Sequence, residues 1–401
     1  MKKVAILVFL KSSGKLIQDM NLKFYKAAFY RLRHIFAFVT MFLVFLPNAI
    51  SSPATEHEEE SSDLNIGGMI IDHVVNAYDW HIATVKGKHI SIYLPVILID
   101  NDGLHVFSSK KFHHGHEAYM GYAICQEKGA KKGRIIKVNA DGSRDTEASF
   151  VDISITKNVL SLLFSVILLL IIFISMARGY AKRGIAAPKG IARVIEPLVL
   201  FIRDDIARSA IGKRYERYLP FLLTVFFFIF FNNLLGLIPF FPGGANLTGN
   251  ISVTLVLALF TFIITNVSGN RDYWKHIVNT PGVPWWLKFP LPLMPLVEII
   301  GVFTKPIVLM IRLFANITAG HIICLGFISL IFIFGNMSPV AGYSISVVSV
   351  FFYIFMTVLE LLVAFIQAFV FTLLSAIYIG MAIEEHHHDA HEVEHSVSEL
   401  K

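Results

Sequence analysis

The residues most able to do chemistry lie in two apolar runs near the C-terminus. The run Leu293–Phe334 is almost wholly apolar, yet it contains Glu298, Thr304, Lys305, Arg312, Asn316, Thr318 and His321. Arg312 is the costliest of these. An arginine at the centre of a membrane helix costs about 2.5–3.5 kcal/mol on insertion scales, and its pKa is too high for escape by deprotonation. A snorkelling role near a helix end fits poorly, because apolar sequence continues well past Arg312 to Gly335-Asn336. On a helix, Glu298, Lys305 and Asn316 fall within about 40° of Arg312, and His321 falls on the opposite face. In the next run, Val340–Ile383, Glu360, Gln367 and Tyr378 fall within about 20° of one another. Asn316, Gln367 and Tyr378 alone could be helix–helix glue; the added charges point to more than that. A buried histidine beside a carboxylate exchanges protons near neutral pH, and such chains in a membrane are material for a proton relay. Arg312 cannot relay protons. It can hold a carboxylate ionised and block a leak. Glu298 is about 21 Å away along the helix and Glu360 is expected to face His321, so the partner carboxylate is expected on another subunit.

Two helices must position these groups. The turn Gly335–Gly342 makes the runs an antiparallel hairpin, in which facing residues have numbers adding to roughly 677. Arg312 with Gln367, and His321 with Glu360, come within a helical turn of that value. Both runs are too long for an upright span: each would measure more than about 60 Å at 1.5 Å per residue, against a hydrocarbon core of about 30 Å. Either Pro295 and Pro306 break the first run, or the helices lie oblique, beyond ordinary tilts of up to about 40°.

The rest of the chain reads as membrane protein too. It has 401 residues, 55% hydrophobic and 16% charged, with a mean hydropathy of +0.63. Further spans are expected at Val159–Ala177, Leu219–Phe241 and Ile251–Val267, giving five in all. The stretch Arg178–Arg217 holds ten Lys or Arg, and Gly269–Pro290 holds three; Pro242–Asn250 has none. By the positive-inside rule the basic loops and the tail face the cytoplasm. Within the basic stretch, Ile191–Ile211 is amphipathic, with Val194, Leu198, Phe201 and Ile202 opposite Arg203, Asp204 and Arg208, as in an interfacial helix. Asn232, Asn233, Thr248, Asn250 and Ser252 gather at the outer ends of the middle hairpin. They could line an aqueous entrance, or equally cap helices and turns.

At the N-terminus, Arg31, Arg33 and His34 precede the apolar run Ile35–Leu46, followed by small residues from Ala49 to Ala54. That suits a signal peptide, with translation from Met1 or Met20; a retained anchor is the alternative. Residues 1–54 are thus assigned to the signal, 55–150 to an exported region, 151–385 to the membrane domain and 386–401 to a histidine-rich cytoplasmic tail. The exported region has strand-like pieces at Ile90–Ile99 and Arg134–Val138, the latter before the turn Asp141-Gly142. Cys125 and Cys324 fall on opposite sides of this division, so no disulfide is expected. His113, His114 and His116, like His386–His388 with His391 and His395, lack a fixed ligand geometry; no metal and no cofactor is expected. Gly212-Lys213-Arg214 lacks the rest of a phosphate loop, so neither nucleotide nor nucleic acid is an expected partner.

These motifs resemble subunit a of the F-type ATP synthase membrane sector. Residues 305–316 (KPIVLMIRLFAN) are similar to the family's signature around its essential arginine. Residues 366–371 (IQAFVF), with Tyr378 and Glu384-Glu385-His386, resemble its last helix. Residues 231–239 (FNNLLGLIP) and 250–255 (NISVTL) resemble its middle hairpin, and Asp72-His73 with Asp79-Trp80-His81 its outer N-terminal element. The resemblance implies an all-α polytopic fold with the last two helices long and oblique. It implies a stator wall beside a ring of c subunits, with protons passing through two offset half-channels. Arg312 corresponds to the separating arginine, His321 and Glu360 to the outer half-channel pair, Asn316 and Gln367 to polar neighbours of the arginine, and Glu298 to the inner exit. Implied partners are the c-ring, the subunit b peripheral stalk and the remaining synthase subunits, in the bacterial inner membrane. Some members carry the His321 and Glu360 residue types exchanged, and some carry an acid where Gly236 stands here. The competing readings are a secondary ion-coupled transporter, although no internal repeat is found, and a membrane scaffold.

Overall fold

A computed structural model describes residues 76–384, apart from 86–87, 116, 126–132, 140–144, 146–149, 184–189, 239–242 and 279–292. The expected signal peptide, the Asp72-His73 motif, the Asp141-Gly142 turn and the tail beyond Glu384 lie outside the described residues.

The chain opens on a small β region. Strands β1 (Asp79–Val85) and β2 (Lys88–Tyr93) form an antiparallel pair. Strands β3 (Pro95–Asp100), β4 (Gly103–Ser108) and β7 (Val151–Asp152) form a sheet in the order β4-β3-β7, and β5 (Tyr122–Ile124) pairs with β6 (Ile135–Lys137). The expected single strand Ile90–Ile99 is therefore two strands in different sheets. Pro95 supplies the reason: without an N–H it starts a strand more readily than it continues one. Val96, Leu98, Phe112, Tyr122 and Ile135 make the core. Asp100 sits at its rim, accepting from Lys137 and from the Tyr122 hydroxyl at 2.8 Å. The Lys137 and Tyr122 hydrogen bonds hold its carboxyl down at about 2. Asn76 ties this region to the first span: its Nδ2 donates to Thr156 Oγ1 at 3.0 Å, and its Oδ1 accepts from the Asn158 N–H at 3.1 Å.

Seven helices follow: α1 (Lys157–Arg183), α2 (Ile191–Phe201), α3 (Tyr215–Leu237), α4 (Ile251–Ser268), α5 (Arg271–Val278), α6 (Leu293–Met337) and α7 (Pro339–Ile383). Five helical stretches are long and apolar enough to cross a membrane. Helix α3 is apolar nearly all round and accordingly is the buried centre: Leu219, Leu222, Phe226, Phe227 and Ile229 are at most 1% exposed. Phe227 packs edge-on against Phe173 of α1, and Phe226 and Phe230 meet Phe365 of α7.

The segment after α2 departs from expectation. Residues Ile202–Arg208 form a π-helix, and the element ends at Gly212, whose φ of 69° suits glycine. Ile195, Val199, Ile202 and Ile206 are buried, whereas Val194, on the expected apolar face, is 68% exposed. That face packs on α7 closely enough that a Cβ on Gly380 would stand 2.0 Å from the Ala210 carbonyl oxygen.

Helices α6 and α7 settle the length question. Each is 45 residues long and continuous, and Pro306 lies inside α6 without ending it. Of the two alternatives left open, the breaks at Pro295 and Pro306 do not occur. Helices of about 68 Å can stay within an apolar layer of about 30 Å only by lying steeply oblique. Their hairpin is pinned at its tip, where a Cβ on Gly342 would meet Gly335 Cα at 2.7 Å, and further along by Phe327 stacked on Phe352 at 5.4 Å. Asn270, at the end of α4, caps the far end of α7: its backbone N–H and its Nδ2 donate to the carbonyls of Ala382 and Ile383.

Candidate functional site

The hairpin register brings His321 of α6 to Glu360 of α7, with His321 Nδ1 3.0 Å from Glu360 Oε1. Both are sheltered, with side chains 17% and 6% exposed. A carboxylate at that depth needs compensation, and three neighbours on α6 shape its place. His321 provides the imidazole. Cys324, one turn on, donates its thiol to Glu360 Oε2 at 3.3 Å. Gly320 provides room: a Cβ there would stand 3.0 Å from Oε1. On its other side the imidazole faces α3, where Gly236 leaves space beside Nε2. His321 thus bridges α3 and α7.

Arg312 lies on the exposed face of α6 with Asn316, while Leu309, Leu313 and Ile317 turn inward. About 14 Å of helix separates it from His321. Among the described residues no carboxylate is within ion-pair distance of Arg312. Gln367 is at the expected depth but buried, and no hydrogen bond joins it to Arg312. Tyr378 of α7 also meets this part of α6: Lys305 Nζ lies 5.5 Å from its ring centre, and Arg312 is within its electrostatic reach. Glu298, half-buried near the start of α6, is within electrostatic reach of Tyr273 on α5. Burial, more than Glu298, raises the Tyr273 hydroxyl.

The middle-hairpin residues divide. Asn233 ties α3 to α7 by donating to the Ala364 carbonyl at 3.2 Å, and it accepts from Thr248 at 2.6 Å. Asn232 donates to Phe228 O within its own helix, leaving its Oδ1 buried without a hydrogen bond. Asn250 caps α4 by accepting from the Ser252 N–H at 2.9 Å. Thr318 of α6 donates to Gly249 O at 3.4 Å. Capping and tying therefore account for most of these contacts. Sequence reasoning passed over Cys324, Gly320 and the buried Thr261–Ser375 pair, whose hydroxyls are 3.2 Å apart across α4 and α7. The spacing of three between His321 and Cys324 was the available signal for the thiol.

Among the described residues no three His, Cys, Asp or Glu gather as a metal site, and both cysteines are free and buried. Comparison with known proteins now bears on the arrangement. The family described as ATP synthase A chain matches residues 159–380, more than half of the chain. The segment before it, 69–157, matches a separate domain of unknown function. The ATP synthase A chain description therefore begins after the β region, whereas the match to a subunit a of Myxococcus xanthus covers 76% of the chain and so reaches into it. ATP synthase subunit a of Chloroherpeton thalassium is 45% identical over 254 residues, covering 61% of this chain and 72% of that one. ATP synthase subunit a 2 of Chlorobaculum tepidum is 49% identical over 257 residues, covering 62% and 69%. Subunit a of Myxococcus xanthus is 41% identical over 314 residues, covering 76% and 94%. These matches do not favour a secondary transporter. The buried pair, the exposed arginine and the matched span agree: the chain belongs to the ATP synthase A chain family, subunit a of the F-type ATP synthase.

Proposed function

We propose that this chain, as the proton-translocating stator subunit of a rotary ATP synthase, separates two half-channels with Arg312 and feeds the outer one through His321 and Glu360. The observation that carries the reading is the contrast between the two sites. His321 and Glu360 form a sheltered pair that can hold and pass a proton. Arg312 stands on an exposed face with no carboxylate of the described residues in ion-pair reach, flanked by Ile307, Val308 and Ile311, each 47–49% exposed. An apolar wall of this kind suits a ring of helices, and the unmatched guanidinium suits a carboxylate carried past on that ring. The ring carboxylate loses its proton as it meets Arg312, so protons cross only by going round with the rotor.

Asn316 shares the arginine's face, and Gln367 backs the same level from α7. Glu298 is assigned to the inner exit. Asn232, Asn233, Thr248, Asn250 and Ser252 are assigned to the outer entrance, chiefly as its frame. The partners are the c-ring, the subunit b stalk and the remaining synthase subunits. The chain itself takes no cofactor and no nucleotide. The β region lies on the periplasmic side of a bacterial inner membrane, with the C-terminus and the basic loops cytoplasmic.

The test is Arg312→Ala in inverted vesicles, following ATP-driven acidification and passive proton leak. Pumping is lost and leak rises. Survival of pumping overturns the reading.

A further inference from the structure

We infer that Cys324 is a positioning residue of the outer proton path, its thiol holding Glu360 so that one carboxylate oxygen stays turned to His321; this rests on the relay reading of that pair. The two oxygens of Glu360 are addressed by different residues of α6. Oε2 accepts from Cys324 Sγ at 3.3 Å, and Oε1 lies 3.0 Å from His321 Nδ1. Oε1 is buried and makes no hydrogen bond of good geometry, so it is the oxygen available to take or release a proton. The terminal torsion of a glutamate is broad and roughly two-fold. With contact at only one oxygen the carboxylate would turn, and His321 would face it in a spread of geometries. A donor on the second oxygen removes that freedom.

The sulfur is itself held. Cys324 is 7% exposed and lies against Thr357, whose hydroxyl donates to the Tyr353 carbonyl at 2.8 Å one turn earlier on α7. Its thiol is a weak donor, and a buried carboxylate is a good acceptor for it. Gly320 leaves room on the Oε1 side of the carboxylate, while α3 presents Gly236, which has no charge, to the far side of the imidazole. Among the described residues, the titratable groups meeting here are His321, Cys324 and Glu360. Proton transfer between the imidazole and Oε1 then proceeds from one geometry, with the thiol keeping its own proton throughout.

The test uses the whole synthase in reconstituted vesicles, measuring proton-driven ATP synthesis against the pH of the entry side. Cys324→Ala slows synthesis by about two- to tenfold, the order expected for one hydrogen bond, and shifts the pH profile. Cys324→Ser keeps a donor and restores both. If Cys324→Ala matches the wild type in rate and profile while Glu360→Gln loses transport, the inference is overturned and the relay stands. Equal slowing by Ala and Ser with an unmoved profile means packing alone, and also overturns it. If Glu360→Gln leaves transport intact, the relay fails and the inference with it. Should Cys324→Ala not assemble, Cys324→Val fills the space without a donor and is judged by the same outcomes.

Discussion

The Nε2 atom of His321 faces Gly236 across the gap between α6 and α3: a Cβ on that glycine would stand 3.3 Å from the nitrogen. The other ring nitrogen is 3.0 Å from Glu360. One imidazole therefore sits between two helices, one nitrogen toward Glu360 and the other toward the space that Gly236 leaves. Gly236→Ala makes the ring shift by a few tenths of an ångström. An off-rotamer side chain costs about 0.5–1.5 kcal/mol, so proton-driven ATP synthesis should fall by about two- to tenfold with the complex still assembled. Unchanged synthesis would show that the imidazole has room to spare.

Exchange of the pair makes a sharper case. His321→Glu alone sets a second carboxylate against Glu360, and two such groups cannot both ionise at that distance. Transport should drop by about 10²-fold or more, the lower range for loss of a general acid–base group. Adding Glu360→His restores one acid and one imidazole in reverse order. ATP-driven acidification of vesicles should then recover to within about tenfold of the wild type. A double variant no better than the single one would show that position, as well as pairing, matters.

Packing of the helical turn after the π-helix, Ser209–Ile211, on α7 depends on Gly380. With Ala210 O 2.0 Å from the place of a Cβ, Gly380→Ala must part the two elements. Overpacking of this kind costs about 1–3 kcal/mol or more. The solubilised complex should melt at lower temperature or lose this subunit on purification, a change readable by thermal scanning with subunit-specific detection.

The β region should show acid sensitivity through Asp100. Its folded pKa, near 2, lies below that of an unfolded aspartate, about 3.9. The sign follows from that order: the carboxylate favours the folded state fully above pH 4, and this contribution is lost as pH falls from about 4 to about 2. Hydrogen exchange of the strands 95–100 and 135–137 in the whole complex should quicken over that window. Asp100→Asn should quicken it already at neutral pH and flatten the dependence. An unaltered profile in Asp100→Asn would exclude Lys137 and Tyr122 as the cause.

Much was legible in the chain because a membrane leaves few options. Backbone polar groups in lipid must be satisfied within helices, so apolar runs fixed five spans to within a few residues. A hairpin with a short turn has one register, so the numbers of His321 and Glu360 already implied their meeting. Arg312 announced itself by its cost alone. The sequence could not decide what rests on close approach between distant segments. Two prolines allowed α6 to break, yet it runs unbroken through Pro306. Helical periodicity put Val194 on one apolar face with Ile202, yet packing buries Ile202 beside Ile195 and leaves Val194 exposed. Spacing put Gln367 level with Arg312, but tertiary packing buried one and exposed the other. Glycines carry no pattern of their own; only the fold reveals that Gly236, Gly320 and Gly380 are needed for the space they leave. Periodicity reports which face a residue lies on, whereas contact depends on how far apart the helices stand, and that distance is set by every side chain between them.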